Sequence, residues 1–166
     1  MITAAIILAE AAVMWEGLNA VQSQSYGAEA RGGATRSDVI IADQAIHYPK
    51  VLQPNLLVCL TQEAYAKFSS IIRPGGLLIT DSRYVKIQRK VDAQQRELPI
   101  YRTVMEQIGR PIVFNICMLG CLIAITDLVK PESIMKVLET RVPRDFLEMN
   151  QKALQIGMEL AAKPAG

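Results

Sequence analysis

The chain has 166 residues, of which 51% are hydrophobic, 20% are charged and only 5% are aromatic, and its formal net charge is +2. These values exclude a disordered chain and predict one domain, residues 1–166, with an aliphatic core. So small a charge gives no electrostatic argument for nucleic acid, and no apolar run reaches the roughly 18 residues that span a membrane.

The first half of the chain is predicted to alternate between helices and strands. The runs 56–60 and 77–80 are apolar throughout, which is typical of strands covered on both faces. In chain order we predict a helix over 3–16, strands over 19–25 and around 39–41, a strand over 56–60, a helix over 62–72 capped by Thr61, and a strand over 77–80. This order indicates an α/β sandwich with a largely parallel sheet.

The second half is predicted to be mainly helical. Residues 83–96 are rich in basic side chains and are expected to form an exposed loop. They are followed by a predicted strand over 99–102, a short helix over 104–108, an apolar central helix over 111–124, a helix from Pro131 to about residue 140, and an amphipathic helix over 146–161. Asn115 is a polar residue at the start of the apolar helix, where it must find a hydrogen-bond partner or point into a site.

The basic run offers two interpretations. Arg83, Lys86, Arg89 and Lys90 could dock an acidic protein or a nucleotide phosphate. A solvated face is the commoner use of such a run, and it is the interpretation we favour.

The residues with catalytic or metal-binding chemistry are few. Cys59, Cys117 and Cys121 lie in apolar runs, as reduced, buried thiols of a cytoplasmic protein would, and a metal or iron–sulfur site needs more ligands nearby. His47 could act as a general base, but a solvated histidine is the favoured interpretation. The sequence contains no dinucleotide fingerprint, no P-loop and no supported nucleophilic triad.

The segment 25–33 is the most informative part of the chain because it places three glycines and an arginine between two predicted strands. Gly27, Gly32 and Gly33 allow positive φ and close approach of another molecule. The planar fork of Arg31 suits a carboxylate or a phosphate, but Arg31 could equally pair with Glu29 and hold the loop.

The same segment, with its flanks, closely resembles the gamma subunit of 2-oxoacid:ferredoxin oxidoreductases. The specific element is Ser25-Tyr26-Gly27 followed by Arg31-Gly32-Gly33. Supporting matches cover nearly the whole chain in order: Ile6–Ala12, Gln24–Gly33, Ser37–Asp43, Pro74–Ile79, and Asn115 with Met118–Gly120. Tyr48–Val51 and Gln62–Tyr65 look most like the 2-oxoglutarate branch, while the pyruvate, branched-chain and indolepyruvate branches stay open.

The resemblance implies a Rossmann-like, three-layer fold and a subunit of a cytoplasmic enzyme. In such enzymes a 2-oxoacid is oxidatively decarboxylated, coenzyme A takes the acyl group, and electrons pass to ferredoxin. Thiamine diphosphate, magnesium and the iron–sulfur clusters are expected on alpha, beta and ferredoxin-like delta subunits, and none on this chain alone. The resemblance implies no nucleic-acid or membrane partner, and self-association of the isolated chain stays open.

The resemblance also implies a site made of residues near the oxoacid, near coenzyme A or at a subunit interface, without catalytic residues or metal ligands. These residues are Ser25, Tyr26, Gly27, Glu29, Arg31, Gly32, Gly33 and Asn115. For Tyr26, packing under the loop is favoured slightly over direct ligand contact.

One departure from the family pattern concerns the first strand. Family members usually begin with a strand and a glycine-rich turn, whereas this sequence starts within that turn at Met1. A missing central strand would leave strand edges unpaired. We therefore predict a gap, a shifted pairing or a swapped segment beside Ala20–Gln24.

Two rival functions remain at this point. One is a stand-alone α/β module that binds a phosphorylated small ligand without catalysis. The other is a purely structural assembly subunit.

Overall fold

The computed structural model describes residues 2–25, 35–88 and 90–162. Strands and helices alternate in the first half and helices dominate the second. The strands are β1 (Asn19–Ser25), β2 (Arg36–Ala42), β3 (Leu56–Cys59), β4 (Gly76–Asp81) and β5 (Ala93–Leu98). The helices are α1 (Ile2–Trp15), α2 (Gln62–Phe68), α3 (Ile100–Gln107), α4 (Phe114–Thr126), α5 (Pro131–Arg141) and α6 (Arg144–Ala162), with 3-10 turns at Ser69–Ile71 and Pro111–Val113.

The described strands form two separate sheets. β3, β4 and β5 make a parallel sheet with β4 in the middle, whereas β1 and β2 pair only with each other, antiparallel, from Asn19↔Ala42 to Ser25↔Arg36. The predicted gap beside Ala20–Gln24 is confirmed for the described strands. The expected parallel pairing is present in β3–β5, and the hairpin adds an antiparallel pair.

The three-stranded sheet is covered on both faces, as its apolar sequence predicts. Successive side chains of a strand point to opposite faces. Ile79 of β4 joins the main core, formed with α1 and α3–α6, while Leu78 joins a smaller cluster with Tyr65 of α2. Both β4 side chains are fully buried. The result is the three-layer α/β arrangement that the sequence indicates.

Helix α4 is the centre of the main core. Its residues from Ile116 to Ile123 are all buried. It crosses α6 at two glycines: a Cβ on Gly120 would collide with the Leu154 carbonyl, and one on Gly157 with the Cys117 carbonyl. The absence of a Cβ therefore lets the two backbones approach closely. The prediction of an apolar central helix is confirmed.

The region after β4 corrects two predictions. Residues 93–96, the end of the predicted exposed loop, belong to strand β5 (Ala93–Leu98). The predicted strand over 99–102 is instead the cap and first turn of helix α3. β5 is a polar edge strand, so its sequence lacks the apolar pattern of a buried strand. It is recognisable as a strand only from its pairing with β4. The start of α3 is stabilised by the Asp81 carboxylate, described below.

Candidate functional site

The predicted glycine–arginine segment connects the two strands of the β1–β2 hairpin. Ser25 is the last residue of β1, where it pairs with Arg36 of β2. The other predicted residues of this segment lie outside the described ranges: Tyr26, Gly27, Glu29, Arg31, Gly32 and Gly33. The structure therefore describes the base of the candidate site.

Arg36 anchors that base. Its Nε donates to Asp38 Oδ1 at 2.7 Å, and its Nη2 donates to the Val51 carbonyl at 2.6 Å. The guanidinium also lies over the Phe68 ring, 5.6 Å from the ring centroid. One side chain thus joins β2, the segment before β3 and α2. The sequence analysis missed Arg36, although an arginine two residues before an aspartate on a strand is a signal for such a pair.

A small cavity lies beside the base of the hairpin. It has a volume of about 230 Å³ and is lined by Ile2 and Thr3 of α1 and by Thr35, Arg36 and Ser37. The first turn of α1 carries no acidic side chain, and the N–H groups of a first turn have no partner within the helix. The described walls enclose less than the roughly 300 Å³ usual for a small-molecule pocket.

Asn115 lies at the start of α4, apart from the hairpin. Its Oδ1 is buried and meets no hydrogen-bond donor within residues 2–25, 35–88 and 90–162. The preceding ring, Phe114, packs against Tyr84 and Tyr101, which places this end of α4 beside the loop that follows β4. Among the described residues, no hydrogen bond brings Asn115 together with the hairpin.

Asp81 organises the carboxyl end of β4, a place where open α/β sheets often bind ligands. The residue is fully buried, and its carboxylate accepts the Arg83 N–H at 2.9 Å and the Tyr101 N–H at 2.8 Å. It therefore fixes both the turn after β4 and the first turn of α3, where the helix dipole favours a negative charge. The sequence offered one signal for this role, an aspartate directly after the apolar run 77–80.

Aromatic rings pack together at the segments that this carboxylate joins. The centroids of Tyr84 and Tyr101 are 5.1 Å apart with an edge-to-face geometry, and Phe114 completes the group. The Arg83 guanidinium lies 4.7 Å from the Tyr101 centroid. Such contacts orient an arginine without neutralising it.

The three cysteines do not fit an iron–sulfur cluster. Burial raises the pKa of Cys59 to about 12. The pKa of Cys121 is also raised, mainly by a hydrogen bond with the Cys117 thiol and to a lesser extent by burial. Cys59 belongs to the smaller cluster near α2, whereas Cys117 and Cys121 lie in the main core. The three thiols are buried and divided between two clusters, so they pack as small apolar groups rather than as ligands of one cluster.

The described residues also offer no other metal centre. They contain no group of three histidine, cysteine, aspartate or glutamate side chains that could hold an ion. His47 is exposed in the segment between β2 and β3. Within the same residues, no helix combines the length and the apolarity that crossing a bilayer requires.

Comparison with known proteins gives a consistent result. The family described as pyruvate ferredoxin/flavodoxin oxidoreductase matches residues 1–160. A 2-oxoglutarate synthase subunit KorC from Methanocaldococcus jannaschii is 42% identical, over 97% of this chain and 87% of that protein. The crystal structure of a keto/oxoacid ferredoxin oxidoreductase gamma subunit from Geobacter sulfurreducens is 43% identical with a TM-score of 0.87, covering 97% of this chain and 90% of that one.

A larger structure shares the fold. The 2-oxoglutarate:ferredoxin oxidoreductase from Magnetococcus marinus, solved with 2-oxoglutarate, coenzyme A and succinyl-CoA bound, has a TM-score of 0.86 at 18% identity. The match covers 98% of this chain and 29% of that chain. The family match and the match to the KorC subunit each span nearly the whole sequence. The chain therefore belongs to the pyruvate ferredoxin/flavodoxin oxidoreductase family.

Proposed function

We propose that this chain is the gamma subunit of a 2-oxoglutarate:ferredoxin oxidoreductase. The single observation that carries the proposal is the 42% identity to a 2-oxoglutarate synthase subunit over 97% of this chain and 87% of that protein. Because the match covers nearly the full length of both chains, it relates this chain to a whole subunit rather than to a fragment of one. The chain would act as one gamma-type domain, residues 1–166, in the cytoplasm.

The reaction that the complex would carry out is the coenzyme A-dependent oxidative decarboxylation of 2-oxoglutarate. One 2-oxoacid anion and one coenzyme A thiol give acyl-CoA, carbon dioxide and one proton, and two electrons pass to ferredoxin. The described part of this chain supplies neither reactive thiols nor a metal-binding group. Thiamine diphosphate, magnesium and iron–sulfur clusters would therefore be held by companion alpha, beta and ferredoxin-like delta subunits.

The contribution of this chain would be the segment between β1 and β2. We place Ser25, Tyr26, Gly27, Glu29, Arg31, Gly32 and Gly33 at the boundary with a companion subunit, close to the oxoacid or to coenzyme A. Support comes from the base of the hairpin, which Arg36 ties to the Val51 carbonyl and to Asp38. A loop carried on a fixed base can present a charged side chain with little loss of conformational entropy.

Asn115 would be a second contact. Its buried Oδ1 has no donor within the described ranges, and an unpartnered buried acceptor is costly. A donor from a companion chain or from coenzyme A would remove that cost on assembly.

The proposal is tested by isolating a tagged chain from its native cells. Co-purification of brown, cluster-bearing chains with thiamine diphosphate is expected, with ferredoxin reduction that depends on 2-oxoglutarate and coenzyme A. Pyruvate, branched-chain oxoacids and indolepyruvate form the substrate panel. A colourless single chain that binds a nucleotide would indicate the stand-alone module instead, and turnover by the purified chain alone would contradict a role limited to assembly with companions.

A further inference from the structure

The loop after β4 carries an exposed cation on a fixed aromatic base. Arg83 is exposed, its guanidinium carbon lies 4.7 Å from the Tyr101 centroid and 5.8 Å from the Tyr84 centroid, and it makes no ion pair with any described residue. Both oxygens of the neighbouring Asp81 carboxylate already accept backbone N–H groups. The positive charge of Arg83 is therefore oriented by its surroundings and left without a counter-charge there.

The same loop is held in place at three points. Asp81 accepts the Arg83 N–H, and Val85 is only 1% exposed in the smaller core cluster. The Gln62 side chain accepts the Lys86 N–H at 2.7 Å and donates to the Lys86 carbonyl at 3.2 Å. A surface fixed in this way loses little conformational entropy when it binds a partner.

Large apolar side chains of the same loop, and of the 3-10 turn that leads into α4, are exposed. Ile112 is 72% exposed, and Tyr84 and Ile87 are each 41% exposed. Residues 82–91 contain Arg83, Lys86, Arg89 and Lys90 and no acidic residue. Arginine and aromatic residues with an apolar centre are the composition typical of protein interfaces.

The composition of this region favours a macromolecule over a small ligand. Two cavities among the described residues, of about 230 and 340 Å³, are lined by side chains other than those around Arg83. A nucleotide or another small anion would need a concave site to bury most of its surface. An exposed cation among exposed apolar side chains instead fits a protein face with acidic side chains around an apolar centre.

We infer that Arg83, Tyr84, Ile87, Tyr101, Ile112 and Phe114, here called the Arg83 surface, bind an acidic face of a companion subunit. This inference rests on the proposed function, because it takes the chain to be part of a complex. The Arg83 surface is formed by the loop after β4 and by the starts of α3 and α4, whereas the glycine–arginine segment connects the strands of the separate hairpin. It would therefore be a second attachment point of the chain.

The test is a pull-down from cells that co-express this chain with tagged companion subunits. Arg83→Glu reverses the charge, Ile112→Ser removes an exposed apolar group, and Lys152→Glu, on the exposed side of α6, is the matched control. Circular dichroism of each isolated variant verifies its fold. Recovery of Arg83→Glu and Ile112→Ser is expected to fall at least fivefold, with Lys152→Glu at the wild-type level and wild-type recovery decreasing at high salt.

The outcomes separate the two proposals. If wild-type chain is recovered and either Arg83→Glu or Ile112→Ser is recovered equally well, the Arg83 surface is not an interface and the proposed function stands. If the wild-type chain joins no companion subunit, the proposed function fails and this inference fails with it.

Discussion

Glu10 of α1 and Arg141 at the end of α5 form a bidentate ion pair across 131 residues of sequence, with Nε–H and Nη2–H of the arginine donating to the two carboxylate oxygens. Glu16, just after α1, accepts the Lys130 N–H at 3.0 Å and the Ser133 hydroxyl, so it caps the start of α5. The two glutamates, which lie in and just after the second half of α1, therefore hold the two ends of α5.

This arrangement predicts a loss of stability in acid. Hydrogen bonds from Arg141 and from Ser133 lower the pKa values of Glu10 and Glu16, respectively, below the ordinary value of 4.5. A carboxyl with a lowered folded-state pKa stabilises the protein above about 4.5, and this contribution is lost as the pH falls through the folded-state pKa. Urea unfolding of the Glu10→Gln/Glu16→Gln double variant should show lower stability than wild type at pH 7 and a smaller difference at pH 3. The exposed Glu148→Gln variant is the control. If the stability difference between the double variant and the wild type were the same at pH 7 and pH 3, the prediction would be wrong.

The crossing of α4 and α6 predicts an unusual response to Gly157→Ala. In an open helix this change would stabilise the protein by about 1 kcal/mol. Here the added methyl group meets the Cys117 carbonyl, so we expect a loss of about 1–3 kcal/mol in the free energy of unfolding. Denaturant titration measures the change, and Glu148→Ala on the exposed side of α6 should stay within about 0.5 kcal/mol of wild type. A stabilised Gly157→Ala variant would show that the helices separate easily.

Replacing Arg36 should weaken the base of the hairpin. Arg36→Ala removes two charged hydrogen bonds, at 2.7 and 2.6 Å, and we expect a loss of about 1.5–3 kcal/mol. Faster limited proteolysis within residues 43–54 should accompany it, because the Val51 carbonyl loses its donor. The control is Arg102→Ala, which removes an exposed pair with Glu106 and should leave the stability close to that of the wild type. Equal effects of the two variants would mean that Arg36 is no anchor.

Arg31→Ala tests the proposed loop in the assembled enzyme. Loss of a charged hydrogen bond at the boundary should raise the KM for the oxoacid or for coenzyme A by roughly tenfold, or weaken assembly. Steady-state kinetics and size-exclusion chromatography of the complex distinguish the two effects. The exposed Arg144→Ala serves as the control for loss of a surface charge. Wild-type kinetics together with wild-type assembly would remove Arg31 from the site.

Local sequence patterns were sufficient for the buried elements. The runs at β4 and α4 are apolar on every side of the strand or helix. Such an element is stable only when all its faces are buried, so the runs predict elements inside the core. Thr61 was predicted as the cap of α2, and its hydroxyl accepts the Ala64 N–H at 3.2 Å. The motif of the β1–β2 segment indicated the family, which the comparisons confirm.

Polar elements depended on partners distant in the sequence. β5 carries Gln94, Gln95 and Arg96 and is a strand because β4 supplies its hydrogen bonds. The start of α3 depends on the Asp81 carboxylate, which accepts the Tyr101 N–H from 20 residues away.

By itself, the sequence determined which segments must leave water and to which family the chain belongs, since both follow from the residues of each segment. Only the tertiary structure decided that the strands divide into two sheets, that Arg36 anchors the hairpin, and that Arg83 stacks on Tyr101. The physical reason is that hydrogen bonds, ion pairs and ring contacts join groups close in space, and their closeness is set by the packing of the whole chain rather than by any local pattern.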